Sequence, residues 1–222
     1  MILFISLSAL CLTACDAHLD EPDMAVKVGH VLCTDGETVS YETYKSSGKE
    51  AIAVVFYLNT HAEIAGNGYA VYLHDLPAEA FADSIGVAQG TSADLTACDG
   101  NENTFALYDT EEVASPIAER VFDLWRYGQS AYIPSVAQMR LLYAAKAVVN
   151  PCLKACGGEP LLDTADDCWY WTSTEVEGQE TAKAWLYSMG SGSIQETPKW
   201  QAHKVRPIIT LNQGGRNLPV KS

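Results

Sequence analysis

Apolar residues alternate with polar ones, or run together, in short stretches through the first half of the chain: Val26 to Cys33, Thr38 to Tyr44, Ala51 to Leu58 and Tyr69 to Leu73. Each is rich in Val, Ile or Tyr and suits a pleated strand, and Asp35-Gly36, Ser47-Gly48 and Gly66-Asn67-Gly68 supply turns between them. Residues 77–104 are small and polar and read as long ordered loops, because Phe105 to Tyr108 resumes the strand pattern beyond them. The period then changes. Ile117, Val121, Leu124 and Trp125 stand at i, i+4, i+7 and i+8, behind Ser115-Pro116 and ahead of Gly128, which predicts an amphipathic helix with a cap, a proline start and a terminator. Ser135 and Gln138 make a capping box for a second helix bearing Val136, Met139, Leu142 and Tyr143. Asn150-Pro151 is expected to break it, with Asn150 capping a short third helix that ends at Gly157-Gly158. Strands return at Trp169 to Thr174, Ala182 to Tyr187 and Lys204 to Thr210, and residues 211–222 form a polar tail. No repeat or boundary divides residues 26–210, so a single α+β domain of antiparallel sheets, two main helices and long ordered loops is expected.

The leader changes the picture of where this domain resides. Residues 1–14 carry no charge, and the apolar run Ile2 to Leu12 has the size of a secretory h-region while being too short to span a bilayer as a helix. It opens Met1-Ile2-Leu3 without the Lys or Arg usual in signal peptides, which leads us to expect a start further upstream. Leu12-Thr13-Ala14-Cys15 resembles the lipobox of bacterial lipoproteins. The resemblance implies a signal peptide over residues 1–14, its removal, and a diacylated Cys15 as the lipid attachment site; the alternative is an ordinary signal peptide with a chance cysteine. Residues 15–25 then form an acidic tether, and the membrane is a partner through the anchor, at the bacterial outer membrane or cell surface.

Charge narrows the partners. Against 14 basic residues stand 28 acidic ones, a net charge of −14 that repels nucleic-acid phosphates and anionic head groups. Nucleic acid is excluded as a partner on this ground, and cations, neutral sugars and proteins remain. Five cysteines fall in the body, Cys33, Cys98, Cys152, Cys156 and Cys168, and an exported chain favours their oxidation. Cys152 and Cys156 at i, i+4 on a helix stand about 5–6 Å apart at Cβ, beyond the roughly 3.5–4.5 Å of a disulfide. A bridge from Cys168 to Cys152 or to Cys156 is therefore expected, with Cys33 to Cys98 as a further pairing.

From residue 128 onward one order of motifs stands out: Tyr132-Ile133-Pro134-Ser135, Trp171-Thr172-Ser173-Thr174-Glu175, Ala184-Trp185 and Val205-Arg206-Pro207-Ile208. It resembles the bacterial surface-lipoprotein branch of the C-type-lectin-like fold, a secreted domain of mostly unknown function, with Ala131 standing where a tryptophan is usual. The resemblance extends over about residues 26–210, with its strongest motifs in the last third, and implies a C-type-lectin-like scaffold. Trp171 and Trp185 are then expected to fill the core, and Arg206 to pair with Glu175 across the last strands. Binding is expected instead from the stretch between Tyr187 and His203, through Tyr187, Gln195, Glu196 and Trp200. An exposed Trp200 stacks on a sugar ring or anchors a protein contact; a buried one only packs.

Signals for catalysis are thin. His61-Ala62-Glu63 with Pro151-Cys152 and Cys156 approaches the zinc ligands of nucleobase deaminases, but three residues separate the cysteines where that signature has two. The acids Asp163, Asp166 and Asp167 suit a solvated loop better than a calcium site. The calcium-dependent sugar motifs E-P-N and W-N-D are absent, since Leu161 follows Glu159-Pro160 and Thr172 follows Trp171. No catalytic residue, metal or cofactor is therefore assigned. The expected function is a lipid-anchored cell-envelope binding module of adhesin or pilus-tip type, recognising an extracellular glycan or protein through loops. The alternatives are a structural envelope lipoprotein and, in third place, a hydrolase.

Overall fold

The computed structural model describes residues 25–61, 66–125, 130–164 and 167–211, and fourteen regular elements organise these described residues. The leader, Cys15, nearly all of the tether and all but the first residue of the tail lie outside the described residues. In order the elements are β1 (Val31–Cys33), β2 (Thr38–Val39), α1 (Tyr41–Ser47), β3 (Ala51–Leu58), β4 (Gly68–Tyr72), β5 (Leu76–Ala80), α2 (Gly100–Asp109), α3 (Pro116–Trp125) and α4 (Val136–Ala155). They continue as β6 (Trp169–Glu175), β7 (Lys183–Ser188), β8 (Ile194–Pro198), β9 (Ala202–Val205) and β10 (Ile208–Leu211). The fold is α+β. One five-stranded sheet runs β10-β4-β3-β1-β2 and the other β5-β9-β6-β7-β8; every pairing is antiparallel except that of β6 with β9.

The first sheet is buried on both faces, which is why β3 reads as a nearly continuous apolar run. Val54 and Phe56 point toward Met139, Leu142, Val149 and Leu153 of α4, while Ala53 and Val55 belong to the opposite core with Phe81, Ile117, Ile133 and Trp171. Helix α4 is placed as the capping box predicts: Ser135 Oγ accepts from Gln138 N, and Gln138 Oε1 accepts from Ser135 N at 2.9 Å.

Several elements differ from expectation for identifiable reasons. The stretch Thr38 to Tyr44 is a strand for only two residues and then becomes α1, because Ser40 caps Thr43 N and Gly48 closes the helix in the left-handed region at φ 67°. Phe105 to Tyr108 lies in α2, whose inward face is Gly100, Asn103, Thr104 and Leu107. That face is spaced as a helix but carries mostly polar or small side chains, so hydrophobic periodicity does not reveal it. Pro151 does not break α4. It lies within the last turn and a half, and Asn150, instead of capping, holds Leu161 through both main-chain groups at 2.8 and 3.2 Å. The expected strand Lys204 to Thr210 is two strands in different sheets, with Arg206-Pro207 at the crossing.

Candidate functional site

The concave surface of interest is built by α2, α3 and the link between them. A cavity of about 800 Å3 is lined by Tyr108, Thr110, Glu111, Ala114, Ser115, Glu119, Phe122 and Asp123. The Tyr108 and Phe122 rings stack face to face, with centroids 4.0 Å apart and planes at 15°, and Phe105 leans on Phe122 at 6.5 Å. Phe105 and Tyr108 are both more than half exposed, because α2 turns its small and polar residues inward. Among the described residues, three carboxylates and no basic side chain line the cavity. Arg120, on the same helix, is held away by Glu79 of β5 at 3.1 Å.

Backbone bonds connect this cavity to the turn bearing Trp200. Ser115 caps α3, its Oγ accepting from Ala118 N while donating to Phe81 O at 2.7 Å. Two residues along, Asp83 N donates to Ala114 O, and Ala82 N donates to Lys199 O. Trp200 follows Lys199 in a turn closed by Gln201 N on Pro198 O, and it is 61% exposed, the largest value among the exposed large apolar side chains of the described residues. The cavity and the tryptophan thus flank the same short segment, residues 81–83.

The other expected ligand residues divide. The region between Tyr187 and His203 is centred on the edge strand β8, so Gln195 and Glu196 are exposed on a sheet edge. Glu196 accepts from Lys183 Nζ at 3.0 Å and from Gln179, and the lysine bond holds its carboxyl below the usual range. Tyr187 is 2% exposed and packs beside Tyr143, which removes it from any recognition surface. Tyr187 shares its face of β7 with the half-buried Lys183 and Trp185, and with Trp185 it packs into the cluster that contains Met139 and Leu142 of α4, while Ala184 and Leu186 face the other core.

The expected structural motif is corrected in two places. Trp171 is fully buried, edge-on to Phe81, and donates its indole N–H to Glu79 O at 3.1 Å; Trp185 is only half-buried and accompanies the core from outside. Arg206 does not pair with Glu175. Fully buried, it binds Asp75 and donates to the carbonyls of Tyr72, Leu73 and Glu159, tying the sheet crossing to the ends of β4 and α4. Glu175 instead pairs with Lys199, also fully buried, and its carboxylate receives the main-chain N–H groups of Gln89 and Thr91. Sequence reasoning missed Lys199 and Asp75, since a lysine beside an exposed tryptophan and an aspartate after a histidine carry no mark of burial.

No disulfide forms among the described residues, which overturns both expected bridges. Cys168 Sγ lies 3.3 Å from Ser188 Oγ under the β6–β7 hairpin, while Cys152 packs on Gly29 at the far side of α4. Cys33 Sγ turns to Val31 O, and Cys98 lies beside Tyr69 in a separate small cavity. No group of three or more His, Cys, Asp or Glu able to hold a metal ion occurs among the described residues. None of their helices is long and apolar enough to cross a membrane. No family model and no curated protein matches this chain.

Proposed function

We propose that this chain is a lipid-anchored envelope protein whose C-type-lectin-like domain binds a neutral extracellular glycan in an adhesin-like role, through the aromatic cavity between α2 and α3 together with Trp200. The observation that carries the reading is the exposed Tyr108, with Phe105 beside it, at a concavity bearing Glu111, Glu119 and Asp123, to which the turn of the exposed Trp200 is joined through residues 81–83. Sugar rings present C–H faces to aromatic planes and hydroxyl donors to carboxylates, and the three acids reject sialylated or sulfated chains. The motif order from Tyr132 to Ile208 supports the scaffold, and Leu12-Thr13-Ala14-Cys15 supports the anchor. A glycan array probed with the purified protein tests the reading. Binding to neutral glycans is expected, weakened by Tyr108→Ala and by Trp200→Ala; retention that neither substitution alters, or a preference for anionic glycans, overturns it.

A further inference from the structure

Beneath the Trp200 turn lies a group of polar side chains that glycan binding does not use. Lys199 and Glu175 are wholly buried, and Gln89 is 2% exposed. Lys199 Nζ binds the Glu175 carboxylate, stands 3.3 Å from Gln89 Oε1, and sits over the Phe81 ring at 5.2 Å from its centroid. The long segment before α2 is folded onto this carboxylate. Gly90, at φ 75°, allows the flanking N–H groups of Gln89 and Thr91 to reach the two Glu175 oxygens at 2.9 and 3.3 Å, and Thr91 Oγ1 adds a third bond at 3.0 Å. The Gln89 amide is steered from its other end by Val113 O at 3.5 Å.

We propose that Lys199 and Gln89 become joined by an isopeptide bond formed within the folded chain. Glu175 takes a proton from the Lys199 ammonium, and the neutral amine attacks Cδ of Gln89, which lies one C=O bond, about 1.2 Å, beyond the oxygen it already faces. The last torsion of glutamine is broad, so the carboxamide presents its face to Nζ without backbone movement. The Nζ–Cδ bond forms and the bond from Cδ to the amide nitrogen breaks; Nζ gives up a second proton as it becomes the amide nitrogen, and both protons pass by way of Glu175 to the departing nitrogen, which leaves as ammonium while Glu175 returns to the carboxylate. No oxidant, metal or cofactor enters the balance. Burial supports the first step, since desolvation pulls the Lys199 amine below its ordinary range against the pull of Glu175. Holding amine and amide together in a dry site replaces the encounter that makes uncatalysed amide exchange slow. The product clamps the segment before α2 to the turn between β8 and β9, directly under Trp200, and stands whether or not the glycan reading holds.

Mass spectrometry of the folded full chain decides it. The expected result is an intact mass lower by one ammonia, loss of tryptic cleavage between Lys199 and Trp200, and a branched peptide joining the segments that contain Gln89 and Lys199. Lys199→Arg keeps the charge but supplies a poor nucleophile; folded by circular dichroism, it is expected at its full unmodified mass. A folded wild-type chain of full mass, cleaved at Lys199 after denaturation, overturns the proposal and leaves a simple buried ion pair. Ammonia loss mapped to another residue overturns it equally.

Discussion

Asp75 and Arg206 lie 131 positions apart in the chain and meet in a buried ion pair at the point where the polypeptide passes from one sheet to the other. The guanidinium is closed off from water by four carbonyls, those of Tyr72 and Leu73 at the end of β4 and of Glu159 and Pro160 after α4, as well as by the carboxylate. Breaking such a pair from one side strands a charge in the interior, at about 3–5 kcal/mol. Asp75→Ala is expected to destabilise the domain by that order in urea denaturation. A double-mutant cycle assigns the partner: Arg206→Met with Asp75→Asn is expected to couple by about 0.5–3 kcal/mol, whereas Arg206→Met with Glu175→Gln adds. Coupling of Arg206 to Glu175 instead would restore the pairing expected from the motifs.

The two tryptophans that bracket the question of core against surface are expected to behave oppositely. Trp171 is closed in by Phe81 and His203 and bonded through its indole, so Trp171→Ala opens a cavity costing about 3–5 kcal/mol. Trp200→Ala removes a side chain that is largely in water and changes stability by no more than about 0.5 kcal/mol. Thermal denaturation of the pair separates them, and a melting temperature several degrees lower for Trp200→Ala removes it from the recognition surface.

Legibility in the sequence followed the sidedness of each element. Helices α3 and α4 are readable because their buried residues are mainly apolar and their caps are spelled out at Ser115, Ser135 and Gln138, and β6 because it opens on Trp169-Tyr170-Trp171, although Thr172 to Glu175 are buried without being apolar. Helix α2 is not, since Asn103 and Thr104 face inward while Phe105 and Tyr108 face out, inverting the pattern on which the reading depends. The same inversion hid the cavity: its aromatic wall read as a strand. Trp200 stands out in the sequence as a tryptophan between Lys199 and Gln201, and it is exposed, but the burial of Lys199 depends on Glu175, 24 positions earlier, and no local period records it.

A pH dependence is expected from His203. Its ring stands edge-on to Trp171 at 5.3 Å, and desolvation lowers its pKa from the ordinary 6.5. Below 6.5 the unfolded chain therefore binds the proton more readily than the folded one. The stability from the neutral ring is complete above that value and declines as the pH falls toward the folded pKa. The drop in melting temperature between about pH 8 and about pH 5 is expected to be larger in the wild type than in His203→Gln, with other titrations common to both. Equal drops would mean that His203 contributes nothing to it.

Anchoring is tested apart from the fold. Metabolic labelling with a palmitate analogue is expected to mark the wild-type protein in cells and to fail for Cys15→Ser, since only the thiol at the end of Leu12-Thr13-Ala14-Cys15 can be diacylated. Equal labelling of both removes the lipoprotein reading and leaves the domain's binding surface untouched.

Thiol reactivity gives the last check, on the side of α4 away from the aromatic cavity. Burial, reinforced by the neighbouring Cys152 and Cys33, pushes the Cys156 thiol up to about 11. Alkylation proceeds through the thiolate, so near pH 8 the folded protein should react at Cys156 on the order of 100-fold more slowly than a peptide cysteine. Cys33 and Cys98 are raised in the same direction, first by desolvation. Isotope-coded iodoacetamide, applied before and after unfolding in guanidinium without reductant, is expected to label all five body cysteines only slowly in the first step and all five fully in the second. A peptide that resists the second step until reductant is added would mean a disulfide, and with it a local geometry different from the one in which Cys168 faces Ser188 and Cys152 faces Gly29.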